Sequence, residues 1–70
     1  MVTVMEIILN GEKRRFDGPL SVTGLLNKLS IDPDTVVVER NLNILSRVDH
    51  GSEPIEKGDT VEIIRMVDGG

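Results

Sequence analysis

Apolar positions along the chain separate several strands from one helix. Residues 2–9 carry Val2, Val4, Met5, Ile7, Ile8 and Leu9, then run straight into Asn10-Gly11. Asn-Gly between two strand-like segments is a strong signal for a type I′ hairpin, because that turn needs φ > 0 at both central residues. A two-residue loop fixes the register: Leu9 faces Glu12, Ile7 faces Arg14, Glu6 faces Arg15 and Met5 faces Phe16. Met5, Ile7, Leu9 and Phe16 then share a core face. Glu6 and Arg15 pair across the other face, beside Val4 and Ile8. Asp17-Gly18-Pro19 reads as a break. Ser21 is a good N-cap for Val22, Leu25, Leu26 and Leu29, whose i, i+3, i+4, i+7 spacing predicts an amphipathic helix of nine or ten residues. Gly24 weakens that helix, and Asp32-Pro33-Asp34 is expected to end it.

Residues 35–39 are a strand on their β-branched content. Asn41 opens a turn, residues 42–45 are a brief strand, and residues 46–53 read as loop or a short 3₁₀ turn. Residues 54–59 show turn chemistry, with Gly58 at a positive φ. Residues 60–67 form the last strand, followed by Asp68-Gly69-Gly70. The first and last strands are the most apolar and are expected to pair centrally and in parallel. The prediction is an α+β domain over residues 1–67, a mixed sheet with one helix across one face, plus a flexible tail at 68–70.

Composition narrows the chemistry. Seventy residues allow one domain with a thin core. The chain has no Cys, which excludes a thiol nucleophile and Cys-based metal sites. Phe16 is the single aromatic, so there is no platform for stacking bases. A net charge of −4 disfavours nucleic acid and anionic lipid, and Lys13-Arg14-Arg15 reads as a solvated edge. The N-terminus lacks the basic and apolar regions of a signal peptide, and no apolar run approaches membrane-spanning length. A soluble, cytoplasmic chain is expected.

Few candidate reactive groups remain. His50 is the only imidazole, and its polar neighbours Asp49 and Glu53 place it on the surface. There is no nucleotide-binding glycine loop, no metal constellation and no workable triad. The remaining feature is the α-carboxylate of Gly70. It becomes an electrophile only when activated, for instance as an acyl-adenylate, and that requires an ATP-using partner with a channel for the tail. Gly69 and Gly70 offer no side chain to hinder entry. A terminal diglycine is equally the ordinary frayed end of a domain, and the pattern alone leaves both readings open. If Val61 and Ile63 face the helix, Ile64 and Met66 face outward. With Ile8 they would form an apolar docking patch for a partner, or merely cover a thin core.

In order and at this length, four stretches resemble a known family. They are Ile7-Ile8-Leu9-Asn10-Gly11, Ser21-Val22-Thr23-Gly24-Leu25-Leu26, Val36-Val37-Val38-Glu39-Arg40-Asn41, and Gly58-Asp59-Thr60-Val61-Glu62-Ile63-Ile64-Arg65 with the closing Gly69-Gly70. From Met5 onward the chain is similar to the ThiS-like sulfur carriers of the ubiquitin-like β-grasp superfamily. The resemblance implies a β-grasp fold with a four- to five-stranded sheet. It also implies a protein co-substrate rather than an enzyme. An E1-like, ThiF-like adenylyltransferase would use ATP to adenylate Gly70. A relay from a cysteine desulfurase would convert it to a thiocarboxylate, and a ThiG-like thiazole synthase would take the sulfur for thiamine. No cofactor would be bound by the chain itself, and the free carrier would be a monomer. A small subunit of molybdopterin synthase, or another sulfur carrier, shares these marks. A non-catalytic β-grasp interaction module is the reading from a different class. Two positions depart from the family pattern. Asp68 stands where a small residue is usual, and Leu42 follows Asn41 where Gly is usual, so a turn other than type I′ is expected at 41–42.

Overall fold

A computed structural model describes residues 3–66. The expected tail at 68–70, its boundary, and Gly69 and Gly70 themselves lie outside the described residues.

Strand β1 (Thr3–Leu9) and strand β2 (Glu12–Gly18) form an antiparallel hairpin in the register expected, from Leu9 opposite Glu12 to Met5 opposite Phe16. Asn10 has φ 49° and Gly11 φ 84°, the left-handed pair that a two-residue turn requires. Met5, Ile7 and Leu9 are buried, and Phe16 packs against them. On the opposite face Arg15 Nε lies 3.4 Å from Glu6, an exposed pair that contributes little. The chain does not break at Asp17 as expected, because β2 continues through Gly18. A Cβ at Gly18 would lie 2.6 Å from Met5 Sδ, so glycine lets the strand end pack against the core. The Gly18–Pro19 peptide is cis.

Two short elements went unread as strands. β3 (Leu20–Ser21) pairs antiparallel with β6 (Pro54–Ile55), which the sequence presents as turn chemistry. Ile55 is a core residue, and this small second sheet fastens the segment before the last strand beside the start of the helix.

Helix α1 (Val22–Lys28) buries Val22, Leu25 and Leu26, and Ser21 Oγ accepts the Gly24 amide at 3.0 Å. It is shorter than expected and ends before Asp32-Pro33-Asp34. Ser30 adopts φ 58°, the Ser30 amide donates to the Asn27 carbonyl, and the Ile31 amide donates to Leu26 at 2.9 Å. That is a Schellman closure with serine in the usual glycine position, and Ile31 packs on the core. Asp32 instead caps a 3₁₀ turn, Pro33–Thr35.

β4 (Val36–Arg40) and β5 (Asn43–Leu45) form a second two-residue hairpin. Here the expectation is corrected. Asn41 has φ 51° and Leu42 φ 73°, the sign pattern of a type I′ turn despite the leucine. The reason is tertiary. The Asn41 amide donates to the Thr60 carbonyl at 2.8 Å, and Asn41 Oδ1 accepts the Thr60 amide at 2.9 Å. With Arg40 opposite Asn43, Leu42 has to complete the turn.

β7 (Thr60–Arg65) lies at the centre of a five-stranded sheet of order β2-β1-β7-β4-β5. It runs parallel to β1 and antiparallel to β4. The helix and the inner sheet residues Ile7, Leu9, Val38 and Val61 form one core. The result is the α+β arrangement expected, with five strands in the main sheet.

His50 is also corrected. It is 3 % exposed, and neither ring nitrogen has a hydrogen-bond partner among the described residues. A 3₁₀ turn, Arg47–Asp49, precedes it, and the His50 carbonyl accepts the Thr23 amide at the helix start. No helix among the described residues is long and apolar enough to cross a membrane.

Candidate functional site

The diglycine is reached through β7, so the site is built from what holds that strand. Its first end is fixed by charge. Asp59 is 7 % exposed and lies just before β7. One carboxylate oxygen accepts Arg40 Nε at 2.6 Å and the Glu56 amide at 2.8 Å, and the other accepts Asn41 Nδ2 at 3.0 Å. Arg40 also donates to Glu53 at 3.1 Å. Burial alone would push the Asp59 carboxyl up. The Glu56 amide, Asn41 and the Arg40 guanidinium together outweigh it and hold the group below the ordinary carboxylate value. The hydrogen bond to Asp59 raises Arg40, against the opposing effect of burial. These are structural restraints at the end of β7 away from the tail. Among the described residues no group of three or more acidic, His or Cys side chains is placed to hold a metal.

The other end of β7 leads to the tail. The Met66 amide donates to the Thr35 carbonyl at 2.9 Å, which extends the β4 pairing one residue past the strand. Four residues follow, and fully extended they reach at most about 14 Å. Gly69 and Gly70 are among them, so no geometry is described for either.

The residues proposed for partner binding do not all come together. Val61 is fully buried and Ile63 packs on the core, whereas Ile64 is 46 % exposed and Met66 48 %. Ile8 is half-buried and sits opposite Thr60. Ile64 is four strand positions further along, roughly 13 Å at the usual strand rise, and its direct neighbour is Val37 of β4. Ile8 is therefore separate from the pair Ile64 and Met66.

Sequence reasoning missed the neighbours that the register supplies. Glu39 lies directly opposite Glu62, and on its other side Ile44 of β5 lies opposite Glu39. Ile44 is 71 % exposed. The outer face near the tail thus presents Val37, Ile64 and Ile44 around two carboxylates. Alternation within β4 and β5 gives the facing of each residue, but pairing β4 with β7 is needed to bring them together.

Comparison with known proteins agrees with this architecture. The model of the ThiS family matches residues 7–70, through the diglycine. A thiazole synthase of Paramagnetospirillum magneticum is 36% identical over 66 residues, covering 94% of this chain and 20% of that protein. A thiazole synthase of Magnetococcus marinus is 35% identical over the same length and shares. The chain thus spans about a fifth of the length of these two relatives. The uncharacterized protein ycf40 of Porphyra purpurea is 36% identical, with 94% of this chain and 93% of that protein covered. The crystal structure of the thiamine biosynthesis protein ThiS from Geobacter metallireducens superposes with a TM-score of 0.83 at 33% identity, covering 94% of this chain and all of that one. The solution structure of a thiamine biosynthesis protein from the same organism gives 0.77, with 88% of that chain covered. With a family match over nearly its whole length and a solved ThiS of the same five-stranded, one-helix fold, the chain belongs to the ThiS family of β-grasp proteins.

Proposed function

We propose that this chain is the sulfur carrier of thiamine thiazole synthesis, a protein co-substrate rather than a catalyst, with Gly70 as the modified residue. The observation that carries the reading is the family match running through Gly69-Gly70. Relatives named thiazole synthase contain a similar stretch as about a fifth of their length. Joining a carrier to its acceptor enzyme in one chain raises the effective concentration of one for the other, which supports thiazole synthase as a partner.

In this reading an E1-like, ThiF-like adenylyltransferase binds ATP, and the Gly70 carboxylate oxygen attacks its α-phosphorus. Pyrophosphate leaves and an acyl-adenylate forms. The outer sulfur of a persulfide formed by a cysteine desulfurase then attacks the carbonyl carbon and AMP leaves; a second thiol cleaves the resulting acyl disulfide, itself becoming part of a disulfide, and releases the thiocarboxylate that is the donor to the thiazole synthase. This chain's residues supply no acid, base or cofactor to these steps. They supply a body that docks and a slim end that enters a pocket. The proposal includes a cytoplasmic carrier, where ATP and a desulfurase relay are available, that is a monomer between encounters.

Reconstitution tests the acceptor. Carrier, ThiF-like adenylyltransferase, cysteine desulfurase, ATP and a thiazole synthase with its substrates should yield thiazole. Sulfur delivery to a molybdopterin precursor in place of the thiazole would contradict the thiamine assignment and favour the molybdopterin synthase subunit.

A further inference from the structure

Both two-residue hairpins open on an asparagine, and each asparagine reaches sideways to β7. Asn10 has φ 49° and Asn41 φ 51°. Asn41 Oδ1 accepts the Thr60 amide at 2.9 Å, at the start of β7. Asn10 Oδ1 accepts the Ile63 amide at 2.8 Å, towards the end that leads to the tail. Register explains the second contact. The Ile8 and Asn10 amides donate to the Asp59 and Val61 carbonyls, as in a parallel ladder. The next rung of that ladder would run from the Ile63 amide to the Asn10 backbone carbonyl. β1 turns away at Asn10, and the side-chain carbonyl takes that place. Among the described residues β1 pairs with β7 no further. On its other edge β7 stays paired with β4 as far as Arg65, and the Met66 amide continues to Thr35. Asn10 therefore sets how far along its length β7 is held from both sides.

Resting on the sulfur-carrier reading, we infer that Asn10 is a positioning residue for the carrier's reaction: its side-chain carbonyl fixes β7 at Ile63, and with it the direction in which the chain runs on towards Gly70. A strand held along one edge alone twists about that edge. A small change of direction at Ile63 is then magnified over the seven residues from Ile64 to Gly70. The Gly70 carboxylate oxygen has to meet the α-phosphorus of ATP in line, and a misplacement of about 1 Å costs a large factor in rate. Asn10 acts through Ile63 and not by contact with the reacting atoms. Asparagine meets two demands here. It accepts the left-handed backbone of the turn, and it carries an acceptor of the right length. Glycine meets the first demand alone, and aspartate meets both.

Three variants separate positioning from stability. Asn10→Gly keeps the turn and removes the acceptor, and Asn10→Asp keeps both. Asn41→Gly removes the matching carbonyl at the far end of β7, together with the contact to Asp59, and is the control for lost stability. The readouts are hydrogen exchange of the Ile63 amide in the free carrier, urea unfolding, and KM and kcat for pyrophosphate release by the ThiF-like adenylyltransferase. Asn10→Gly should speed Ile63 exchange about tenfold and lower kcat about fivefold with KM little changed, because the body still docks while its end is misplaced. Asn10→Asp should restore both. Asn41→Gly should lose at least as much stability yet keep the wild-type kcat. A purely structural role predicts the opposite split, a raised KM at unchanged kcat, because partial unfolding only lowers the concentration of folded carrier. The inference is overturned if Asn10→Gly keeps the wild-type kcat or the wild-type Ile63 exchange, if Asn41→Gly lowers kcat equally, or if Asn10→Asp does not restore it. Should Asn10→Gly fail to fold, Asn10→Ser takes its place. Its hydroxyl is one bond shorter than the asparagine carbonyl, and Ser30 at φ 58° shows that serine takes this backbone in the same chain. If neither folds, Asn10 is a folding determinant and the inference is overturned. If wild-type carrier itself supports no pyrophosphate release, the sulfur-carrier reading fails and this inference falls with it.

Discussion

At the scale of single residues, Asp59 has the clearest energetic signature. Its carboxylate accepts three hydrogen bonds, from Arg40, Asn41 and the Glu56 amide, and is held below its ordinary value. Because the folded value is depressed, the group stabilises the fold fully above the unfolded carboxylate value near 3.9 and loses that contribution as pH falls through the folded value. Asp59→Asn should therefore cost about 2–3 kcal/mol at pH 7 and progressively less below about pH 4. Urea denaturation of both proteins at pH 7 and pH 3 checks it, and an equal difference at both values would show that the charge is not the stabilising feature. Neither Asp59 nor His50 was legible in the sequence. Asp59 meets an arginine nineteen residues away, through the register of β4 against β7. His50 has polar sequence neighbours, and its burial follows from a loop that folds back onto the helix start.

At the scale of elements, the two hairpins contrast what local sequence does and does not reveal. Asn10-Gly11 offers residues that accept the left-handed backbone of its turn, so the turn, register and core face of β1 and β2 were all readable. Asn41-Leu42 reaches the same signs of φ because β4 is held against β7 and Asn41 is bonded to Thr60, and a long-range cause leaves no mark at Leu42. A left-handed leucine costs about 1–2 kcal/mol, and Leu42 is 84 % exposed, so it loses little packing on removal. Leu42→Gly should therefore raise unfolding stability by about 1 kcal/mol, measured by urea titration. Unchanged or lower stability would contradict a left-handed Leu42. The helix follows the same pattern. Ser21 and the apolar spacing marked its start and inner face, whereas its end depends on Ser30 adopting a conformation more usual for glycine.

At the scale of the whole molecule, apolar content was enough to place β1 and β7 side by side and parallel at the centre of a mixed sheet with one helix on it. The two-residue strands β3 and β6 are too short to carry a periodic signal, and only their pairing defines them. For function, the absence of thiols and nucleotide loops left the Gly70 carboxylate as the candidate, and the family resemblance implied a use for it; the family itself is what the comparisons show. The structure adds a surface beside the tail, made by strand register, that local sequence does not display. Incubating the chain with ATP, a ThiF-like adenylyltransferase, a cysteine desulfurase, cysteine and a thiol reductant, then weighing it intact, tests the carrier assignment most directly. The account predicts a gain of about 16 Da, the exchange of oxygen for sulfur, which disappears when Gly70 is deleted. An unchanged mass, or a gain that survives deletion of Gly70, would contradict it.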